Sequence, residues 1–154
     1  MALVVGGCAR HPQVVASHQI TVYYCKSGTD ALVPVHYPVS VSLTDAQVAS
    51  FAVNQLLAGS PAIADEVVLF PPGTRASVSE SGGTATVNLT GAIVQGYHGG
   101  AGAETALFKS LTFTLTDLPD VKNVQVLADG KNIAALPGGH FALDEPLDRD
   151  TFSQ

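Results

Sequence analysis

Five histidines, two cysteines and thirteen carboxylates are the side chains with which this 154-residue sequence would have to perform acid–base, nucleophilic or metal chemistry. The histidines, His11, His18, His36, His98 and His140, never fall four residues apart or as His-x-Glu, spacings that bring two ligands to one metal ion. They read as solvated or structural. Serine, histidine and aspartate all occur, but no Gly-x-Ser-x-Gly turn frames a nucleophile. A hydrolase would need His98 or His140 in a cleft beside a carboxylate or Cys25. Gly96-Tyr-His-Gly-Gly-Ala-Gly102 precedes a predicted helix, whose backbone N–H groups could cradle an anion, yet it lacks the lysine of a phosphate loop. A flexible connection is the expectation there. Glu145, Asp148 and Asp150 read as a solvated acidic stretch, and Asn88-Leu-Thr90, a glycosylation acceptor by sequence, falls on a predicted strand. No catalytic set, metal site or cofactor is expected.

The two cysteines carry a different message. Met1-Ala-Leu-Val-Val-Gly-Gly-Cys8 resembles the end of a lipoprotein signal peptide, with Val5, Gly6 and Gly7 in the places that precede the acylated cysteine. Small side chains there let the extended backbone enter the peptidase, and the thiol accepts the diacylglycerol. A basic start and a full apolar stretch of about 7–15 residues do not precede it. The resemblance implies a lipid on Cys8, with residues 1–8 a signal remnant, 9–18 a tether, 19–149 one domain and 150–154 a tail. A Cys8–Cys25 disulfide, or two small apolar residues, remain the alternatives. Cys25, near the end of a predicted strand, reads as a buried thiol without the neighbouring base that nucleophilic use requires.

Charge and hydropathy narrow the class. Charged residues are 13% of the chain, about half the usual share, and 46% is apolar, so the chain folds around one core. Its net charge is −6 and its seven basic residues are scattered, which gives no footprint for nucleic acid. No apolar run approaches the roughly 20 residues that cross a bilayer as a helix.

The elements that must position any site follow from periodicity. Gln19 to Cys25, rich in β-branched and aromatic residues, predicts a strand; Lys26 to Asp30 a turn; and Leu32 to Ser42 a second strand that Pro34 and Pro38 restrict to an edge. Thr44-Asp-Ala-Gln47 is a capping box, and the helix it opens ends at Gly59. Val67 to Phe70 reads as an apolar insertion, Pro71-Pro-Gly-Thr74 as a sharp turn, and residues 75–79 and 84–89 as a hairpin. Residues 104–118 are ambiguous. Leu111-Thr-Phe-Thr-Leu-Thr116 alternates like a strand, but Leu107, Leu111, Leu115 and Leu118 share one helical face, and about fifteen residues without a turn favour a helix. Val121 to Ala128, Asp129-Gly130 and Lys131 to Ala134 complete a last hairpin. The expected class is α+β, a mainly antiparallel sheet with two helices packed on one face.

In that order, Ile20-Thr-Val-Tyr-Tyr24, Leu32-Val-Pro-Val35, Leu56-Leu-Ala-Gly59, Pro71-Pro-Gly-Thr74, Thr84-Ala-Thr-Val-Asn-Leu89, Thr114-Leu-Thr-Asp-Leu-Pro119 and Val126-Leu-Ala-Asp-Gly-Lys131 together resemble the GerM domain of sporulation and spore-germination proteins and of bacterial lipoproteins. Related folds, called ring-building motifs, stack side by side. One copy stands here where the germination protein resembles a tandem pair, and the family supplies no catalytic residues. The resemblance implies a non-enzymatic, extracytoplasmic module, membrane-anchored through Cys8, that binds an envelope protein, a wall polymer or its own copies through the sheet face opposite the helices. The second reading is a small-ligand or carbohydrate binder that stacks its ligand on Tyr23, Tyr24, Tyr37 or Tyr97; a hydrolase comes third.

Overall fold

The structure, a computed structural model, describes residues 16–153 except 27–28, 30, 61–62 and 64–69. Strand β1 (Ser17–Cys25) pairs antiparallel with β2 (Leu32–Ser40), Ser17 facing Ser40 and Cys25 facing Leu32. The alternation is the expected one: Ile20, Val22 and Tyr24 point into the core. The strand starts at Ser17, inside the stretch expected as tether.

Helix α1 (Asp45–Ala58) opens on the predicted capping box. The Thr44 hydroxyl accepts from the Gln47 N–H at 3.3 Å, and the Thr44 N–H donates to Gln47 Oε1 at 2.9 Å. At its other end Gly59 takes φ +76°, a conformation that costs glycine least. Most of the expected apolar insertion lies outside the described residues, but Phe70 is buried. Pro72 and Gly73 then make the sharp turn, closed by a 3.0 Å bond from Thr74 N–H to the Pro71 carbonyl.

Strands β3 (Thr74–Ser81) and β4 (Thr84–Gly91) form a hairpin around Gly82-Gly83, both at positive φ, as a tight two-residue turn demands. The short helix α2 (Ala92–Gln95) and the long helix α3 (Gly100–Thr116) then carry the chain over to β5 (Asn123–Ala128), which lies parallel to β4 with Thr84 beside Asn123 and Leu89 beside Ala128. Strand β6 (Lys131–Asn132) returns from the Asp129-Gly130 turn.

Residues 107–116 are therefore helical, and the class is α+β as expected. Two features differ. The strands make two sheets, β1-β2 and β3-β4-β5-β6, and the central β4–β5 pair is parallel, because a seventeen-residue helix between them is a crossover and not a hairpin. The helices, moreover, touch both sheets: α1 packs on β3 and β1, and α3 on β1 and β5. This buries α3 nearly all round, Thr112 and Thr114 included. Of the threonines that gave the strand-like pattern, Thr114 faces the first hairpin, its Oγ1 accepting the Tyr23 N–H at 3.0 Å.

The glycine-rich segment is also more structured than its composition implies. It contains α2 and the first turn of α3, pinned by the buried side chains of Ile93 and Tyr97. The C-terminal stretch folds back on the domain as well. Leu136, Leu143 and Leu147 are buried, Leu147 exchanges two 2.8 Å backbone bonds with Val124, and Phe152, in a short 3-10 turn, stacks on Phe141.

Candidate functional site

The four tyrosines proposed as a stacking surface do not share a face. Tyr24, 1% exposed, follows Ile20 and Val22 into the core, where its hydroxyl meets the Tyr37 hydroxyl at 2.8 Å and donates to the Gln55 carbonyl at 3.0 Å. Tyr97 is buried too, and its N–H donates to the Pro137 carbonyl at 2.7 Å. Tyr37 is half-buried with its ring edge-on to Phe51. Tyr23, also half-buried, donates its hydroxyl to Asp117 at 3.1 Å and lies edge-on to Phe113. Arg149 closes that cluster: its guanidinium sits 4.8 Å from the Phe113 ring centre and 3.1 Å from Asp117 Oδ1. Burial, then the Asp117 carboxylate, push the Tyr23 phenol up, with Arg149 pulling the other way; burial and Glu104 push Tyr97 up. Strand alternation and core packing thus turn Tyr24 and Tyr97 inward and set Tyr23 and Tyr37 against different partners, Phe113 and Phe51, so the four form no single stacking platform.

The groups considered for catalysis stay apart. His18, His36, His98 and His140 are exposed, and among the described residues no three of the His, Cys, Asp and Glu side chains stand together as metal ligands. Cys25 is buried, its thiol donating to the Thr29 carbonyl at 3.2 Å. Cys8 and His11 lie outside the described residues.

Two carboxyl groups that no motif singles out are placed unusually. Glu104, on the first turns of α3, is fully buried. Its Oε2 accepts the N–H groups of His140 and Phe141 at 2.6 and 3.1 Å, while Oε1 has no partner. An added Cβ at Gly139 would collide with that second oxygen, so the loop closes tightly on it. The other is Glu80, at the end of β3 on the face that packs against the helices, since its strand partner is the buried Ala85. It lines a cleft of about 160 Å³ with His18, Leu43, Asp45, Val48, Leu118 and Pro119, and its Oε1 is sealed from solvent with no partner. Burial first, then Asp45 and Asp120, raise the Glu80 carboxyl above the ordinary glutamate range. A shallower hollow of about 330 Å³ beside Arg149 mixes Lys122 with Asp148 and Asp150.

The outer face of the four-stranded sheet is a further candidate surface. Where Ala85, Val87, Leu89, Val124 and Val126 point inward to the helices, the alternate residues point outward. The pairing lines them up as Ser79, Thr86 and Gln125 in one row and Ser77, Asn88 and Leu127 in the next. Arg75, paired with Thr90 at the end, is the one charge among these strand positions. Such a face is hydroxyl- and amide-bearing and nearly neutral on a chain whose net charge is −6.

Comparison with known proteins matches residues 21–134 to the Germane family, described as sporulation and spore germination. The chain belongs to this family. Solved structures of similar fold agree with this architecture. The tandem GerMN domains of the sporulation protein GerM from Bacillus subtilis superpose with a TM-score of 0.64 at 24% identity, over 93% of this chain and 48% of that one. The first GerMN domain alone gives 0.66 at 19% identity, over 86% and 98%. A protein from Clostridium perfringens described as a candidate lipoprotein gives 0.62 at 19%, over 89% and 91%. This chain thus spans about half of the tandem protein and nearly all of the single domain. No curated protein matches it.

Proposed function

We propose that this Germane domain is a non-enzymatic module on the outer side of a bacterial envelope that docks onto a partner protein through the outer face of its four-stranded sheet. The observation that carries the reading is that face itself, with Ser77, Ser79, Thr86, Asn88 and Gln125 in paired rows around Leu127, while Ala85, Val87, Leu89, Val124 and Val126 turn inward. Short polar side chains lose little rotamer freedom when a contact orders them, and their hydroxyls and amides can bond a partner directly or through water. The likeness to a candidate lipoprotein supports the envelope setting, and a lipid on Cys8 would hold the domain there. No helix of the described residues is long and apolar enough to cross a membrane.

The test is a photo-crosslinking residue at Ser77 or Gln125 in the full chain, produced in its own host. A covalent adduct with one envelope protein is expected. Adducts with a second copy would point to self-association, and adducts with wall polymer to a structural wall contact. No adduct, with a strict monomer in native mass spectrometry of envelope extracts, overturns the docking reading. For the anchor, Cys8→Ala should release the protein from the membrane pellet; full retention there refutes lipidation.

A further inference from the structure

We propose that the cleft between the start of β1, the N-terminal turn of α1, the end of β3 and the C-terminal end of α3 is a socket for one lysine side chain of a partner protein. The inference names a partner chemistry within the docking reading, at a place distinct from the outer sheet face. Its walls set the shape of the guest. Leu43, Val48, Leu118 and Pro119 supply apolar surface, and Glu80 with Asp45 supplies the negative charge, in a space of about 160 Å³. A lysine carries a four-carbon stem that buries readily against apolar walls and ends in a compact ammonium with three donors.

The Glu80 carboxyl supplies the reason for a cationic guest. Its Oε1 is buried without a hydrogen bond beside the cleft, an unpaired acceptor that raises the free energy of the empty domain and that a donor seated in the cleft satisfies once the lining shifts to admit it. No salt bridge reaches Glu80 or Asp45 among the described residues, and the nearest charges that act on Glu80, Asp45 and Asp120, are also negative. A metal ion fits poorly. Calcium and magnesium take about six or more oxygen ligands, whereas much of this lining is hydrocarbon and no third carboxyl joins the two in the wall. The N-terminal dipole of α1, which would repel a cation, is already met by Asp45 and by the Thr44–Gln47 capping box.

The experiment is a titration of the isotope-labelled full chain with Nα-acetyl-lysine N′-methylamide, followed by backbone amide shifts, with the norleucine analogue as the uncharged control. Saturable shifts confined to Asp45, Val48, Ser81 and Leu118 are expected with lysine and not with norleucine. Glu80→Gln should weaken the lysine response at least tenfold while leaving the rest of the spectrum in place. Should that variant fail to fold, Asp45→Asn provides the same comparison. Absent or scattered shifts, equal response to norleucine, or unchanged binding in the folded variant overturns the socket. A photo-crosslinker at Pro119 on the rim then tests the source: capture of a lysine-bearing peptide of an envelope protein is expected, and capture of wall material alone refutes a protein guest. A chain that cross-links from Ser77 yet ignores lysine loses the socket and keeps the docking reading.

Discussion

Replacing Glu104 by alanine should strip the C-terminal loop from α3. The side chain is fully buried, and one of its oxygens is the acceptor for the N–H groups of both His140 and Phe141. Leaving a buried N–H without an acceptor costs about 1–3 kcal/mol, so two of them sum to roughly 2–6 kcal/mol. For a domain of this size each kcal/mol corresponds to about 2–4 °C in Tm, which places the expected fall near 10 °C. Thermal unfolding followed by circular dichroism reads the global loss, and amide hydrogen exchange at residues 140 and 141 reads the local one. Glu104→Gln offers an internal comparison. It keeps an acceptor oxygen for both N–H groups but sets an amide NH2 where the unpartnered Oε1 now sits, so its loss should be smaller, about 1–2 kcal/mol. A Glu104→Ala protein that melts within a few degrees of the parent, with exchange at residues 140 and 141 unchanged, would refute the assignment of Glu104 as the residue that holds this loop.

Thr44→Ala removes the acceptor for the Gln47 N–H and should cost about 1 kcal/mol, read as a lower urea midpoint at unchanged slope. Gly91→Ala puts a side chain at φ +81° and drives its Cβ into the Gly73 carbonyl, so a loss of at least about 2 kcal/mol is expected by the same measurement. Glu80→Gln should act in the opposite direction, and only at the right pH. The folded-state pKa of Glu80 is raised, so the native state holds its proton more tightly than the unfolded state, and stability falls as pH rises from the ordinary glutamate value through the raised one. The glutamine variant lacks that fall; it should match or exceed the parent at pH 7 and lose its advantage on acidification below the ordinary glutamate range. A parent whose stability relative to the variant grows with pH would contradict the sign.

The sequence was legible where a local rule decides. The Thr44-Asp-Ala-Gln47 box and Gly59 bound α1 because capping is satisfied within a few residues, and Pro72-Gly73 and Gly82-Gly83 fix their turns for the same reason. Leucine spacing outweighed threonine content in α3. What escaped was set by partners distant in sequence. Nothing in the local pattern says whether β4 meets β5 parallel or antiparallel, or that the first hairpin covers the far side of the helices. Glu104 looked like an ordinary acid opening a helix because its acceptor role depends on N–H groups 36 and 37 residues away. Tyr24 and Tyr97, polar-tipped and aromatic, suggested a surface until packing placed both inside.

The layering also explains where a working contact can stand. With α3 enclosed between β1 and β5, the helices have little free face to offer, and the inner sides of both sheets are occupied by them. Recognition is therefore left to the outer sheet face and to seams where elements end, and the Glu80 cleft is such a seam, formed by the ends of four elements. A carboxyl group there can be partly desolvated without disrupting the core, because Val48 and Leu118 beneath it already pack on their own neighbours. That same desolvation lowers the stability of the empty domain and strengthens any charge-assisted bond made on docking, since both effects follow from excluding water around one oxygen. Stability and affinity should accordingly move in opposite directions at position 80: the glutamine variant that folds more firmly at neutral pH is the one that should hold a lysine less well.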